Sequence, residues 1–488
     1  MVDVAQLVRA PVCGTGGRGF KSRHPPFFYV RDNELKTVFI GGKLMKNLYS
    51  SLTLMLAVIM SCACDTKPTI TLMEAVKTNN AKAVKYYIKH GAEINKKPLL
   101  LVAAENGSLP IVQDLIKAGA NVNIVTIYEK WTPLMYASMK GHLDVVKVLI
   151  EHGANIDAKN HDDETALMQA SEKGFAEVVK VLIAHGADID AKSYAGETAL
   201  MKASEKGFAE VVKVLIEHGA NKEIMSRYDT PMTMASQKGH LGVIKVLVQH
   251  GVNVNTPEYN TPLSNAMLND HDEVTKWLIE NGADVNIKFR ETPLIYASKQ
   301  GKTEIVKLLL QHGADVNYSK QDSSVWPAIV WASQNGHTDI VKLLLENGAD
   351  PNAYEEYNGC YLETALMIAS TNGHVEIVKL LLQHGADVNY NKKKSCSWPA
   401  VVGASRNGHI DIVKLLINHG ADLNALAYSE ALESAAVKGH VEIVKLLVEN
   451  GAKIPSVQSV KDNSDFWNVP KPVQDAIINI LNQAVKKQ

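Results

Sequence analysis

Histidine is the side chain best suited to bind a metal or transfer a proton near neutral pH, and this 488-residue sequence contains 17 of them. Fifteen recur at two fixed places: eight before the glycine of an "HGA"-type element and seven after an internal glycine position. Ligand clusters are not repeated identically along a chain, and no His-Glu-x-x-His zinc motif occurs. We therefore predict that these histidines are structural and that the protein holds no metal. They are His90, His152, His185, His218, His250, His312, His384 and His419, and His142, His240, His271, His337, His374, His409 and His440.

Two further patterns could in principle bind a cofactor or take part in catalysis. The stretch "GTGGRG" at residues 14–19 has the glycine spacing of a dinucleotide-binding loop, but that spacing has meaning only between a strand and a helix, and no such unit surrounds it. Carboxylates such as Asp144, Glu177 and Glu376 fall at periodic positions typical of a solvated helix face. No G-x-S-x-G nucleophile motif stands out. The sequence predicts a protein that is not an enzyme and binds no cofactor.

Composition excludes several further classes of protein. The sequence is 46% hydrophobic and 21% charged with a formal net charge of −1, which argues against a general nucleic-acid binder. The longest apolar run, residues 52–60, is too short to cross a bilayer. Five scattered cysteines do not form a disulfide framework or a zinc motif. Cys360 and Cys396 fall in neighbouring repeats, and whether they pair is left open.

The sequence consists largely of one repeated unit, so any functional side chain must be positioned by the helices and turns of that unit. The phrase "GHLDVVKVLIEHGANID" at 141–157 returns as "GHTDIVKLLLENGADPN" at 336–352 and as "GHVEIVKLLLQHGADVN" at 373–389. The glycine of this phrase marks twelve copies, mostly 31 to 35 residues apart. The twelve glycines are Gly91, Gly119, Gly153, Gly186, Gly219, Gly251, Gly282, Gly313, Gly348, Gly385, Gly420 and Gly451.

Each copy carries signals for two helices. In "TPL", as at Thr132-Pro133-Leu134, threonine is a favoured N-cap and proline a favoured first helical residue. The first helix should end near the glycine of "KGH" or "NGH". Val145, Val148 and Leu149 then share one face of a second helix, which the "HGA" glycine terminates in a left-handed conformation.

With this period and these words, residues 71–453 resemble the ankyrin repeat family. The resemblance implies an all-α solenoid, a stack of helix-turn-helix units with β-hairpin fingers between them. The sequence departs from the family pattern where methionine replaces the usual histidine after "TPL" (Met135) and where Ala-Ser replaces Ala-Ala (Ala137-Ser138). We expect a C-terminal tail over 454–488 with a capping helix that buries Val473, Ile477, Leu481 and Val485 on one stripe.

Three adjacent fingers are longer than the rest and are rich in aromatic and charged residues. Insertions in solenoids collect on the binding face, and Tyr and Trp often anchor interfaces. The candidate partner-binding residues are Tyr318, Trp326, Tyr354, Glu355, Glu356, Tyr357, Tyr361, Tyr390, Lys392, Lys393, Lys394 and Trp398. Packing at the base of a finger is the alternative role for both tryptophans. A second candidate is the concave row at the ends of the first helices, including Glu172, Lys173, Glu205, Lys206, Gln334, Asn335, Arg406 and Asn407.

Residues 45–61 have the layout of a secretory signal peptide, with Lys46 before the apolar run and small residues after it. "IMSC" resembles the lipobox of bacterial lipoproteins, which implies lipidation at Cys62; Cys64 fits less well. We predict that residues 1–44 are a spurious upstream extension that is not translated and that residues 62–70 are a linker. The sequence thus predicts a monomeric ankyrin-repeat lipoprotein of a bacterial envelope that binds one or more proteins. The alternative is a soluble cytoplasmic or secreted, host-directed interaction protein.

Overall fold

Twelve helix pairs follow one another along the chain, each made of a shorter first helix and a second helix of nine residues. The computed structural model describes residues 67–227, 229–255, 260–287, 291–318, 326–357, 361–390, 398–424 and 430–487, with the backbone alone for 355–357, 361, 362 and 487. The pairs are α1 (Leu72–Lys77) with α2 (Ala81–Lys89), α3 (Leu99–Glu105) with α4 (Leu109–Lys117), α5 (Pro133–Lys140) with α6 (Leu143–Glu151), α7 (Ala166–Lys173) with α8 (Ala176–Ala184), α9 (Ala199–Lys206) with α10 (Ala209–Glu217), α11 (Pro231–Gln237) with α12 (Leu241–Gln249), α13 (Pro262–Leu268) with α14 (Asp272–Glu280), α15 (Pro293–Gln300) with α16 (Thr303–Gln311), α17 (Ala328–Gln334) with α18 (Thr338–Glu346), α19 (Ala365–Asn372) with α20 (Val375–Gln383), α21 (Ala400–Asn407) with α22 (Ile410–Asn418), and α23 (Ala431–Val437) with α24 (Val441–Glu449).

Three further elements follow the last pair, and one hairpin interrupts the series. The chain ends with α25 (Val457–Asp462), a 3-10 turn (Ser464–Asn468) and α26 (Lys471–Lys487). A short 3-10 turn (Ile94–Lys96) follows the first pair. The antiparallel hairpin of β1 (Tyr354–Tyr357) and β2 (Tyr361–Thr364) precedes α19. It is the only paired-strand finger in the described residues.

The caps form as the sequence predicts. Thr132 accepts a hydrogen bond from the Met135 backbone N–H at 3.2 Å, which satisfies one of the unpaired donors at the start of α5. Asn79, which stands where other copies have the internal glycine, adopts the same left-handed backbone with φ of 55°. Asparagine tolerates this conformation better than most residues. The first repeat therefore keeps its turn without the glycine.

A single apolar core runs along the stack. First helices pack on first helices of the neighbouring repeats and second helices on second helices. Each repeat contributes a similar set of buried side chains, such as Leu134 and Met135 from α5 and Val145, Val146 and Leu149 from α6. Because one repeat cannot bury both of its sides alone, stability comes from the contacts between neighbours. The predicted all-α solenoid is confirmed.

Polar side chains also link the repeats, along the turns that follow the second helices. Asn317 donates to the Gly348 carbonyl at 2.9 Å and accepts from the Asp350 backbone N–H at 2.8 Å. Asn286 makes the same two bonds to Gly313 and Asp315. Asp157 replaces this asparagine and keeps only the second bond, from the Asp188 N–H at 2.9 Å. A carboxylate cannot donate to the glycine carbonyl of the next repeat.

Asp157→Asn is therefore expected to stabilise the protein by about 0.5–1 kcal/mol, because it adds a donor for the Gly186 carbonyl without changing side-chain size. The reciprocal Asn317→Asp variant should lose a similar amount. Urea unfolding followed by circular dichroism measures both. Shifts of the same sign in the two variants would contradict this role of the asparagine.

The C-terminal helix covers the end of the stack. α26 packs on α24 and fully buries Ile477 and Leu481. The prediction is wrong for Val485, which is 56% exposed, and Ala484 is buried instead. In a helix with 3.6 residues per turn, each step of four residues moves slightly around the helix axis. After the steps to Ile477 and Leu481, a step of three residues, to Ala484, therefore returns to the buried face. In the part of the chain that the structure describes, every helix is too short or too polar to cross a membrane.

Candidate protein-binding surface

The repeated histidines are engaged in structural hydrogen bonds. His142 Nε2–H donates to the Glu105 carbonyl of the preceding repeat at 2.9 Å, and its ring lies against Gly107. His152 Nδ1–H donates to the Val148 carbonyl one turn earlier in its own helix, at 2.8 Å. The same two patterns recur along the array. These contacts agree with the structural role predicted for histidine. Among the described residues, no group of His, Cys, Asp and Glu side chains is arranged to hold a metal ion.

Two of the predicted long-finger residues come together in space. Tyr354 at the start of β1 lies against Tyr390 of the next finger, with ring centroids 5.7 Å apart. Both rings are partly exposed. Aromatic pairs at this distance contribute about 0.5–1.5 kcal/mol beyond their area burial. The pair therefore ties two neighbouring fingers into one surface.

The two tryptophans differ in their surroundings. Trp326 lies against Trp331 of α17 at 4.8 Å between ring centroids, the contact expected of a tryptophan that packs the base of a finger. Trp398 is 40% exposed, and the Arg406 guanidinium lies over its ring at 4.7 Å. We name Tyr354, Tyr390, Trp398 and Arg406 the long-finger surface. Tyr318, also predicted here, is half-buried against the core.

Several predicted residues fall where the structure gives no side chain. Only the backbone is described for Glu355, Glu356, Tyr357 and Tyr361, which lie in β1 and β2. Lys392, Lys393 and Lys394 lie outside the described residues, as do Cys62, Cys64, Cys360 and Cys396.

Part of the concave row is used within the protein. Asn335 donates to the Lys299 carbonyl at 2.9 Å, and Asn407 donates to the Thr371 carbonyl at 2.7 Å, so both bridge adjacent repeats. Arg406 approaches Asp465 of the C-terminal turn at 3.4 Å, and Lys438 approaches the same carboxylate at 2.8 Å. The hydrogen bond from Lys438 holds the pKa of Asp465 below its usual range. These residues hold the C-terminal cap against the last repeats.

A second exposed surface was missed by the sequence analysis. Ile127 and Tyr128 at the tip of the finger before α5 are 89% and 86% exposed, and Tyr194 two fingers later is 87% exposed. We name these three residues the short-finger surface. Single exposed apolar side chains are common on protein surfaces, whereas a group of them often marks an interaction site. The signal available in the sequence was the aromatic and aliphatic residues in these turns, Ile127 and Tyr128 in one and Tyr194 in the other.

Backbone hydrogen bonds connect the fingers that carry this surface. The His161 N–H donates to the Glu129 carbonyl at 2.9 Å, and the Tyr194 N–H donates to the Asp162 carbonyl at 2.8 Å. Consecutive fingertips are thereby joined in a row. The aromatic and aliphatic tips are held in place before any partner binds, which reduces the ordering that binding requires.

A comparison with protein families identifies the repeated unit. A family profile described as "Ankyrin repeats (3 copies)" matches residues 72–160, 157–226, 222–289, 287–355, 326–392 and 366–458. The chain belongs to the ankyrin repeat family, whose members are generally protein-protein interaction modules and typically not enzymes. No curated protein matches the sequence. Among solved structures, the ankyrin repeat domain of human ASB11 is similar, with 27% identity and a TM-score of 0.41 over 45% of this chain and 100% of that one.

Proposed function

We propose that this protein is a non-enzymatic scaffold of a bacterial envelope, anchored by lipid at Cys62, that binds partner proteins through its fingers. The observation that carries the binding role is the row of exposed apolar tips at Ile127, Tyr128 and Tyr194 on fingers joined by backbone hydrogen bonds. Truncation of a few aromatic anchors typically removes most of the affinity of such an interface.

The long-finger surface supports the same role at a second place in the array. Tyr354 and Tyr390 form a partly exposed aromatic pair, and Trp398 is covered on one face by Arg406. Tyr, Trp and Arg are the residue types most often found at binding hot spots. A partner of ordinary size would bury about 800 Å² of either surface.

Site-specific photo-crosslinking in the native cells tests the binding role. A photoreactive phenylalanine at Tyr128, Tyr194 or Tyr390 is expected to crosslink a defined partner, whereas the same group at Lys147, exposed on the outer face of α6, should not. Ile127→Asp together with Tyr128→Ala should weaken binding of a short-finger partner about tenfold or more. Equal crosslinking from Lys147 would refute the finger assignment.

The anchor rests on the sequence of residues 45–62, and mass spectrometry of the native N-terminus tests it. A diacylated or triacylated peptide that begins at Cys62 is the expected result, since two or more acyl chains give stable anchoring. An unmodified N-terminus upstream of Ser61 would refute the anchor. The scaffold would then be a soluble or host-directed interaction protein.

A further inference from the structure

The second helix of the first repeat carries a charge pattern unlike that of any other repeat. In α24 the second, fifth and ninth positions are acidic, basic and acidic, at Glu442, Lys445 and Glu449, a pattern that five of the twelve second helices share. In α2 these positions are Lys82, Lys85 and Lys89, and the helix contains no carboxylate. Nine of the twelve second helices have Asp or Glu at the second position. The first repeat thus has a lysine at the second position, where most of the array has a carboxylate, and it adds a lysine at the ninth position, which is acidic in five other repeats.

The reversal opposes the local stability of the helix. The N-terminus of a helix carries a partial positive charge, so an acidic residue in the first turn is favourable and a lysine is unfavourable. Lys82 lies in that first turn and is exposed. Residues that break a local rule without an evident gain in folding are expected at functional sites. A binding role would explain the lysine where stability does not.

The neighbouring helix extends the positive face. A shallow depression between the two helices is lined by Lys85 and Lys89 of α2 and by Lys117 of α4. The rest of its lining is Ile88, Asp114 and Ala118. Asp114 is the one carboxylate of that lining, and it lies 3.8 Å from Lys85. The lining therefore retains an excess of positive charge. Tyr86, half-buried, stacks on His90 at 4.0 Å and adds an amphipathic ring beside the lysines.

This charge is concentrated at one end of the array. Residues 67–120 contain eight lysines and four carboxylates, whereas residues 121–488 contain 35 basic and 44 acidic side chains. A uniformly charged scaffold would not show this asymmetry. The positive end is also the end next to Cys62, which precedes Thr71 by nine residues.

We propose that the outer face of α2 and α4, defined by Lys82, Lys85, Lys89 and Lys117, docks on the anionic headgroups of a phospholipid membrane. The inference rests on the proposed function in one respect: a chain anchored at Cys62 keeps Thr71, at the start of the first repeat, within about 30 Å of the bilayer, the reach of nine extended residues. Juxtamembrane lysines are attracted to anionic lipid when they lie within a Debye length of the surface. The first repeat would thereby orient the array on the membrane and leave the later fingers available to partners.

Vesicle flotation of the full chain tests the docking face, with Cys62→Ser and Cys64→Ser included so that acylation plays no part. Binding to phosphatidylcholine vesicles that contain about one third phosphatidylglycerol should exceed binding to pure phosphatidylcholine vesicles about tenfold or more. The excess should disappear at about 1 M salt, where the Debye length is about 3 Å. The neutral vesicles report any contribution of the apolar run at 52–60.

Two charge variants locate the effect. Lys82→Glu with Lys89→Glu gives α2 the charge pattern of α24. It should fold about as stably as the parent, because the gain at the helix N-terminus offsets the loss at its C-terminus, as urea unfolding will check, and it should bind both vesicle types equally. Lys414→Glu with Lys445→Glu makes the same change in net charge on α22 and α24 and should leave the preference for anionic vesicles unchanged.

Three results would overturn the proposal: no preference for anionic vesicles in the parent, an unchanged preference in the α2 variant, or an equal loss in the distal variant. The first of these would turn attention to an acidic protein as the ligand of this face. Because the tested chain lacks Cys62, the result is independent of whether that cysteine is acylated in cells.

Discussion

Lys202→Met is expected to destabilise the middle of the array by about 3 kcal/mol, in the range found when one partner of a buried ion pair is removed. Lys202 Nζ lies 2.9 Å from Glu164 and 2.8 Å from Glu197, and its side chain is only 15% exposed. Glu164 precedes α7 and Glu197 precedes α9, so the lysine joins two repeats at the bases of their fingers. Methionine keeps the length of the side chain but leaves two carboxylates without their cation.

The electrostatics give the expected pH dependence. Burial alone would lower the pKa of Lys202, but its hydrogen bonds to Glu197 and Glu164 outweigh burial and hold the pKa above its usual range. A lysine with a raised pKa contributes its full stabilisation below its unfolded pKa of about 10.4 and loses it only as the pH rises through the folded value. The loss caused by Lys202→Met should therefore be the same at pH 7 as at about pH 9, since both lie below the unfolded pKa of the lysine.

Urea unfolding at both pH values, combined with hydrogen exchange of α7 to α10, measures the loss, since a repeat array need not unfold in a single step. Lys206→Met is the matched control on the same helix. Lys206 is 41% exposed and lies 3.4 Å from Glu205, so its removal should change stability by less than about 0.5 kcal/mol. An equal loss for Lys206→Met and Lys202→Met would show that the two ion pairs of Lys202 contribute little to stability.

The periodic part of this fold was predictable because each signal recurs many times. The threonine caps, the left-handed turns and the buried pattern of the second helices are local features of sequence, and twelve copies reinforce one another. The structural role of the histidines followed from the same regularity. Val485 was misplaced because a strict four-residue step was extended one turn too far.

The candidate surface was less predictable because fingers are irregular. Length and composition directed attention to the long fingers, and the structure does bring Tyr354 and Tyr390 together there. The contact between them depends on how adjacent repeats stack, which no single finger encodes. The exposure of Ile127 and Tyr128 depends on the direction of each side chain at a turn, and no periodicity reports that. Arg406 was predicted to lie on the open concave row, but the structure places it in contact with Asp465 of the C-terminal cap.

Gly207→Ala should destabilise the same region by about 3 kcal/mol, about 2 kcal/mol more than Gly219→Ala in the same repeat, because only the first would force a side chain into an occupied space. Both glycines adopt the left-handed backbone, with φ of 83° and 93°, which costs an alanine about 1 kcal/mol. The surroundings differ. A Cβ at Gly207 would lie 2.6 Å from Nδ1 of His240, whereas a Cβ at Gly219 would meet nothing within 4 Å.

The His240 ring cannot move away without loss, because its Nε2–H donates to the Glu205 carbonyl at 2.9 Å. Displacing the ring leaves that carbonyl unpaired and disturbs the contact between repeats. His240→Ala in the Gly207→Ala background should therefore cost less than His240→Ala alone, and the double-mutant cycle measures this coupling. Additive losses, or equal losses for Gly207→Ala and Gly219→Ala, would mean that the ring is free to shift. The repeated glycine-histidine pair would then be a consequence of turn geometry alone, and the bond from His240 to the preceding repeat would contribute little to holding the array together.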